Sequence, residues 1–536
     1  MKDVTREVIE REDTQSRILK GVETLEKAVA ATLGPKGRNV LIEMPFGNVA
    51  ITKDGVSVAR EIYLKDPCEN MGVAVVKEAA SRTADKAGDG TTTATILAAS
   101  IYRGGLAAMS SGANPILIKR GIDKAVAAVI ESIKAQSKPI DGDEGIRSVA
   151  TISANWDKEI GELVTKAIKV AGSDGVVTVE DARSFESSIE PVDGLQINRG
   201  FMSPYFITNM EKSRAELDDA YILLFDKKIQ RLNEILPILK EVAKTSRPLL
   251  VIADSIVEEA LAVLIQNKVK GNFVSCAVKA PDFGDKRMAI LEDIATITGA
   301  KVFSETLGNK LENATIEDLG TAQRVVVDYE STTIIRGSGN KEAIESRVSQ
   351  LKDLVKNAND DYEKHILQER LGRLTNGVAI IRVGAMSETE LKEKKDRIDD
   401  ALHATRAAIE EGIVPGGGIA LIRAAASLES VEVSNDDEGL GVDIVRGALS
   451  SPLGWLCANA GVSPEETIKE VKSGFGEMGY DVANGVFTNM FNSGIVDPAK
   501  VTRLALQNAA SVAGILLTTE TAIVRNEEKQ SNATRQ

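Results

Sequence analysis

Histidine and cysteine are nearly absent from this 536-residue chain, which has two of the first (His365, His403) and three of the second (Cys68, Cys276, Cys457). So few imidazole and thiol groups exclude a His-rich metal centre and a zinc site built on Cys pairs. Three well-separated cysteines suit a reducing compartment where thiols stay free, and a cytoplasmic location is expected. Aromatic residues make up only 4% of the chain, which disfavours a base-stacking groove for single-stranded nucleic acid. Positive charge is outweighed, with 65 Lys and Arg against 79 Asp and Glu, for a net −14. Nucleic acids and membrane surfaces are polyanions, so neither is an expected partner. No stretch approaches the roughly 20 apolar residues of a membrane-spanning helix. The opening MKDVTREVIEREDTQSR mixes both charge signs and has no apolar core. Neither a secretory signal nor an Arg-rich transit peptide is expected there.

What is present is core-forming material. Hydrophobic residues are 43% of the chain, and at about 150 residues per domain the length predicts three or four domains. The first 135 or so residues read as mostly helical. ILKGVETLEKAVAATLG has helical apolar spacing and stops at Gly34-Pro35. NVLIEM and VAITKDG read as short strands, with Asp54-Gly55 as the turn. Helices are expected over 69–87, 91–109 and 116–136. From about 190 to 378 the texture changes: AYILLF, PLLVIAD, NFVSCAVKA, KVFSE and RVVVDYE are β-type runs, several separated by amphipathic helical segments. That alternation predicts an α/β layer with a partly parallel sheet. Beyond 388 the run ETELKEKKDRIDDALHATRAAIEEG returns to helix with a solvated charged face. Helix is expected to continue to Ile523, followed by a disordered polar tail, NEEKQSNATRQ. Helix-rich ends around an α/β block predict one domain assembled from both ends of the chain.

Several motif matches fail on context. Asp282-Phe283-Gly284 spells the kinase magnesium triplet, but no H-R-D loop or Gly-rich loop precedes it. GFGEMG at 474–479 fits G-x-G-x-x-G, yet it follows a helical run rather than a strand, so a turn or hairpin is expected. No P-loop occurs. AGDGTTTATILAAS is harder to explain as packing alone. Its glycines permit a turn whose N–H groups converge on an anion, and the helix start adds positive potential. Thr91, Thr92 and Thr93 offer hydroxyls to phosphate, and Asp89 offers a hard oxygen to Mg²⁺. The competing explanation is a Thr-capped helix after a tight turn. ATLGPKGRN, TKDG with Lys53 and Asp54, and IVPGGGIAL are weaker candidates, each an ordinary loop if taken alone.

Taken together these segments resemble the group I chaperonins of the GroEL type (60 kDa chaperonins), along nearly the whole chain. TLGPKGRNV, ITKDGVSVAREI, AGDGTTTAT, SPYF, KAPDFGD, DALHATRAAIEEG with its following GGG, and DPAKVTRLALQNAASVAG occur in family order. The resemblance implies a multidomain α+β subunit. A helical equatorial domain would combine 1–135 and 411–536, a small intermediate domain 136–192 and 379–410, and an α/β apical domain 193–378. It also implies an ATPase using ATP and Mg²⁺, with K⁺ as a possible further ion. Thr32, Leu33, Gly34 and Pro35 would line the phosphates, with Lys53 beside them. Asp89, Gly90, Thr91, Thr92 and Thr93 would hold phosphate and metal. Asp400 would activate the attacking water and Asp54 would be a second catalytic carboxylate. Gly417 would contact the ribose, Ile495 and Asp497 the adenosine, and Asp481, Val482 and Ala483 the adenine side. His403 is expected to be a packing or helix-surface residue.

Further implications are identical subunits in heptameric rings, single or double, a co-chaperonin lid, and non-native polypeptide clients. Phe201, Tyr205, Phe206, Leu236, Leu239, Leu261 and Ile265 would line the client groove, though core packing is the alternative for each. The chain departs from the family pattern at Val482, bulkier than the usual alanine, at Gln266, usually apolar, and in a tail without Gly-Gly-Met repeats. The rival functions are a chaperonin-derived binding scaffold with weak or no turnover and a small-molecule ATP-dependent enzyme.

Overall fold

A computed structural model describes residues 6–43, 49–140, 142–154, 156–172, 175–182, 184–210, 212–304, 308–357, 361–375 and 378–525. The polar tail from 526 onward, expected to be disordered, lies outside them. The chain divides into two compact units, Met1–Thr165 with Met386–Gln536, and Lys166–Ala385. The segments expected to form an intermediate domain are shared between these units.

The first unit is a helical assembly drawn from both chain ends. Its central helix, Ala499–Leu517, is rich in Ala and Leu and is buried on most sides. It packs on Thr91–Ser110, Pro67–Ala87 and Pro115–Gln136. A helix apolar nearly all round belongs in the middle of a core, and Leu97, Ile101, Ile118, Ile122, Leu506 and Leu516 make that core continuous. Two expectations are corrected here. Asp54-Gly55 is not a hairpin turn: Asp54 caps the helix Gly55–Glu61, accepting from the N–H groups of Val56 and Ser57. The strands Val40–Glu43 and Val49–Thr52 do pair, but across the residues before them. Ile523 is not helical either. The last helix ends at Leu517, where the Thr518 and Thr519 hydroxyls turn back onto helix carbonyls. Ala522–Arg525 then pairs antiparallel with Arg6–Ile9.

The second unit is α/β. Its main sheet runs Ser275–Lys279, Leu249–Ala253, Ala215–Phe225, Gly320–Val327, Thr332–Gly337 and Gly194–Ile197, with Val302–Phe303 paired to Ala215–Phe225. The first three strands run parallel, Val302–Phe303 pairs parallel with Ala215–Phe225, and Gly320–Val327, Thr332–Gly337 and Gly194–Ile197 join antiparallel. LLVIA in Leu249–Ala253 is buried at every position, as a parallel strand covered on both faces must be. A smaller sheet places Val378–Val383 between Val176–Asp181 and Ser188–Val192. The partly parallel sheet expected from the sequence is therefore present. All three cysteines are free and buried. Among the described residues no helix is long and apolar enough to cross a membrane.

Candidate functional site

Four aspartates from four separate segments of the first unit share one electrostatic neighbourhood: Asp54 and Asp89 act on Asp400, Asp54 on Asp89, and Asp89 on Asp497. Asp54 is held as a helix cap by Val56 N–H at 3.1 Å and Ser57 N–H at 2.7 Å. Asp89 follows the left-handed Gly88 that ends Pro67–Ala87. Its Oδ1 accepts from the Gly90 N–H and its Oδ2 from the Ser153 hydroxyl at 3.0 Å. Asp400 lies on the long helix Glu388–Glu411. Burial raises its pKa well above the usual carboxylate range, and the charges of Asp54 and Asp89 push in the same direction. Burial also raises Asp89, with a further push from Asp54, against the two hydrogen bonds that favour its charge. Asp497 stands opposite Val414 on a short antiparallel pair. Burial and then Asp89 push it up to about 7, while the Gly417 N–H holds it down. All four are half-buried. Carboxylates set so close together without a cation between them resist ionising together.

The segments around them supply complementary charge. Gly90 caps Thr91–Ser110 with no side chain, so nothing competes for the N–H groups of the first turn. An uncapped helix start is suited to an anion. Thr92 and Thr93 are half-buried there, while Thr91 is buried. Two motifs distant in sequence meet at this turn: a Cβ on Gly55 would fall 2.2 Å from the Thr92 hydroxyl oxygen. Lys53 is half-buried beside Asp54, its pKa lowered chiefly by burial and secondarily by Arg397. A lysine in that state gains from a nearby anion. Among the described residues no three carboxylate, thiol or imidazole groups could hold a metal by themselves. A hard cation sharing its shell between one or two of these aspartates and phosphate oxygens fits the donor set, as Mg²⁺ prefers.

Thr32 to Pro35 form a turn after Arg11–Ala30 whose course is set from outside. The Asn459 side-chain amide donates to the carbonyls of Ala30 at 2.9 Å and Leu33 at 3.0 Å. Leu456 fills the space a side chain on Gly34 would need. The Thr32 hydroxyl is committed to the Val29 carbonyl. Leu33, Val482 and Ile495 share an apolar cluster with Ile419, Leu453, Tyr480 and Met490. The Gly416 N–H donates to the Ile495 carbonyl at 2.9 Å, which joins this cluster to the Gly417–Asp497 contact. GFGEMG leads into the hairpin Met478–Asp481 with Val486–Asn489, as expected. The Asp481 carboxylate caps its own turn, accepting from Ala483 N–H, Asn484 N–H and the Asn484 amide. Ser153 and Asn459 were not identified from sequence, since neither lies in a segment with glycines or spaced carboxylates.

The apolar face expected in the second unit is only partly exposed. Tyr205 is 72% exposed, with Lys268 donating to its carbonyl at 2.7 Å. Phe201 is half-buried against Tyr329, ring centroids 4.7 Å apart. Leu236 on Leu232–Thr245, and Leu261 and Ile265 on Glu258–Val269, are half-buried. Phe206 and Leu239 are corrected to core residues: both are buried in the cluster beneath the sheet and present no binding surface. Met210 and Val269 are exposed apolar residues the motifs did not single out. Gln266 is exposed on the same helix as Ile265.

A sequence model described as the TCP-1/cpn60 chaperonin family matches residues 25–527. Two solved structures share the fold, both of the chaperonin gp146 from the bacteriophage EL 2 (Pseudomonas aeruginosa) in the presence of ATP-BeFx. Crystal form II superposes with a TM-score of 0.69 at 22% identity, covering 98% of this chain and 100% of that one. Crystal form I gives 0.63 at 22% identity, covering 97% and 99%.

Proposed function

The chain belongs to the TCP-1/cpn60 chaperonin family, and from that premise we propose that it is an ATP-hydrolysing folding chaperone of the group I kind. The observation that carries this is the convergence of Asp54, Asp89, Asp400 and Asp497 beside an uncapped helix start. Phosphoryl transfer to water depends on positioning and electrostatics more than on imidazole chemistry, so a chain with two histidines loses nothing by it. The helix start at Thr91–Ser110, with Thr92, Thr93 and Lys53, receives the phosphates. Asp89 holds Mg²⁺, which when bound neutralises charge on the phosphate oxygens. Asp400, whose pKa burial raises and Asp54 and Asp89 raise further, is the base that takes the proton of the attacking water. Asp54 orients that water. The Gly417–Asp497 contact and the apolar cluster of Leu33, Val482 and Ile495 take the ribose and the base.

Tyr205, Phe201, Leu236, Leu261 and Ile265 capture non-native polypeptides, since apolar burial has no directional requirement and tolerates many clients. Identical subunits assemble into seven-membered rings that a lid co-chaperonin closes. Nucleotide drives the cycle by preferring one ring state over another. The test is phosphate release from the purified chain with Mg²⁺ and ATP, alongside refolding of a denatured client. Asp400→Ala is expected to lower release by about 10²-fold or more while leaving nucleotide affinity within a few-fold. Release no greater than that of Asp400→Ala would return the chain to a binding scaffold.

A further inference from the structure

Gly88 lies one residue before Asp89 and ends the helix Pro67–Ala87 in the left-handed conformation, φ 72°. The helix Glu388–Glu411 passes directly over it. A Cβ built on Gly88 would fall 2.0 Å from His403 Cβ and 2.4 Å from His403 Cγ. The Cβ, the nearer of the two, is fixed to the helix backbone and does not move when the side chain rotates. His403 is one helical turn after Asp400, on the same face. One turn further, Ala407 packs with Ala87, Val501 and Leu504 in a small buried cluster. Asp400, His403 and Ala407 therefore form a stripe along which the helix rests on the end of Pro67–Ala87. Ala407 gives a flat apolar contact, and His403 rests on the bare Cα of Gly88. Asp400 then falls where the charges of Asp54 and Asp89 act on it.

We propose that Gly88 is a positioning residue for hydrolysis: its missing side chain is the clearance that lets the Asp400 helix seat at the depth the reaction needs. This deepens the ATPase function proposed above and rests on Asp400 being the water-activating carboxylate. Restoring the Cβ would require the 2.0 Å separation to open to the 3.4 Å of ordinary contact. The rigid helix would carry that displacement to Asp400 one turn away. Displacing a reacting group by about 1 Å costs on the order of 10²-fold in rate, whereas the phosphate-binding turn at 90–93 would keep its shape.

The experiment compares three variants of the full chain with the unaltered protein. Gly88→Ala inserts the wedge. Gly461→Ala carries the same left-handed cost, φ 73° at a helix end, with nothing within 4 Å of its Cβ. Gly88→Ala with His403→Gly removes the atoms the wedge would strike. At saturating ATP, Gly88→Ala is expected to lose at least ten-fold in kcat with KM and nucleotide affinity within about two-fold. Gly461→Ala is expected to match the unaltered protein, and the double variant to recover most of the lost kcat. Should Gly88→Ala not fold, His403→Ile thickens the same contact from the other side and is expected to lower kcat alone. Full turnover in Gly88→Ala, a loss of affinity in proportion to kcat, or no recovery in the double variant would each overturn the inference. Absence of hydrolysis in the unaltered protein would instead overturn the assignment of Asp400, and this inference with it.

Discussion

The two units use their defining residues in opposite ways. In the helical unit, burial raises Asp89, Asp400 and Asp497, and neighbouring aspartates push each of them further the same way. Acids paired with basic side chains occur in both units, as Glu411 with Arg503 in the helical one. Among the described residues of the α/β unit, however, the shifted carboxylates are all lowered: Arg382 and Arg336 hold Glu190 below its usual range, and Arg214 and Arg324 outweigh burial at Glu216. Paired charges are stable as they stand, while crowded like charges need something to bind. The helical unit is therefore where the proposed chemistry is placed. The α/β unit offers surface, where Tyr205 and Val269 project into solvent.

The largest effect that would test this division is expected at Asp89. Asp89→Ala should reduce phosphate release about 10²–10³-fold, the several kcal/mol of transition-state stabilisation a bound metal supplies. Tyr205→Ser should leave release within about two-fold while lowering capture of a denatured client. Comparable losses of hydrolysis in both variants would break the comparison. Next in size is a contrast between two neighbours. Phe206→Ala opens a cavity in the core and should cost about 3–5 kcal/mol in the denaturant-induced unfolding of the α/β unit. Tyr205→Ala, at an exposed position, should cost under about 1 kcal/mol. Equal costs at 205 and 206 would mean that this face is core throughout and offers no client surface.

That contrast also marks how far the sequence could be read. Helix limits at Pro67–Ala87 and Thr91–Ser110 were legible because Gly88 and Gly90 punctuate them. Asp54 and Asp89 stood out as candidates because glycines adjoin them, although Asp54 also has the structural explanation of capping Gly55–Glu61. Phe206 and Leu239 were not, because burial and client binding select the same side chains and the sequence does not say which face of an element is covered. Asp481 is two-sided for a related reason. An aspartate in a turn serves equally well as a ligand and as a cap for its own backbone, and the cap is the part the geometry displays. Ser153 was invisible because its hydrogen bond to Asp89 spans 64 residues and no local pattern marks it.

The smallest effect should be a slope. Asp497 has an ordinary value of 3.8 and is held at about 7 in the folded chain. Between those values the folded state binds a proton the unfolded state has lost, so stability from this group is full below about pH 4 and declines as pH rises toward 7. Glu190 and Glu216, held down by arginines, work the other way: their contribution is present above their unfolded values and is lost as pH falls. Asp497→Asn keeps an oxygen for the Gly417 N–H and removes the charge facing Asp89. Without nucleotide or divalent cation, the helical unit of the variant should melt about 2–4 °C higher than that of the unaltered protein at pH 8. Below about pH 4, where the carboxyl is neutral in the folded and the unfolded chain alike, the two should converge. Asp89 and Asp400 are raised in the same direction, so the decline with pH should be weakened rather than abolished. Melting curves that stay parallel from pH 5 to 8 would take Asp497 out of the coupled group and leave the site with three carboxylates.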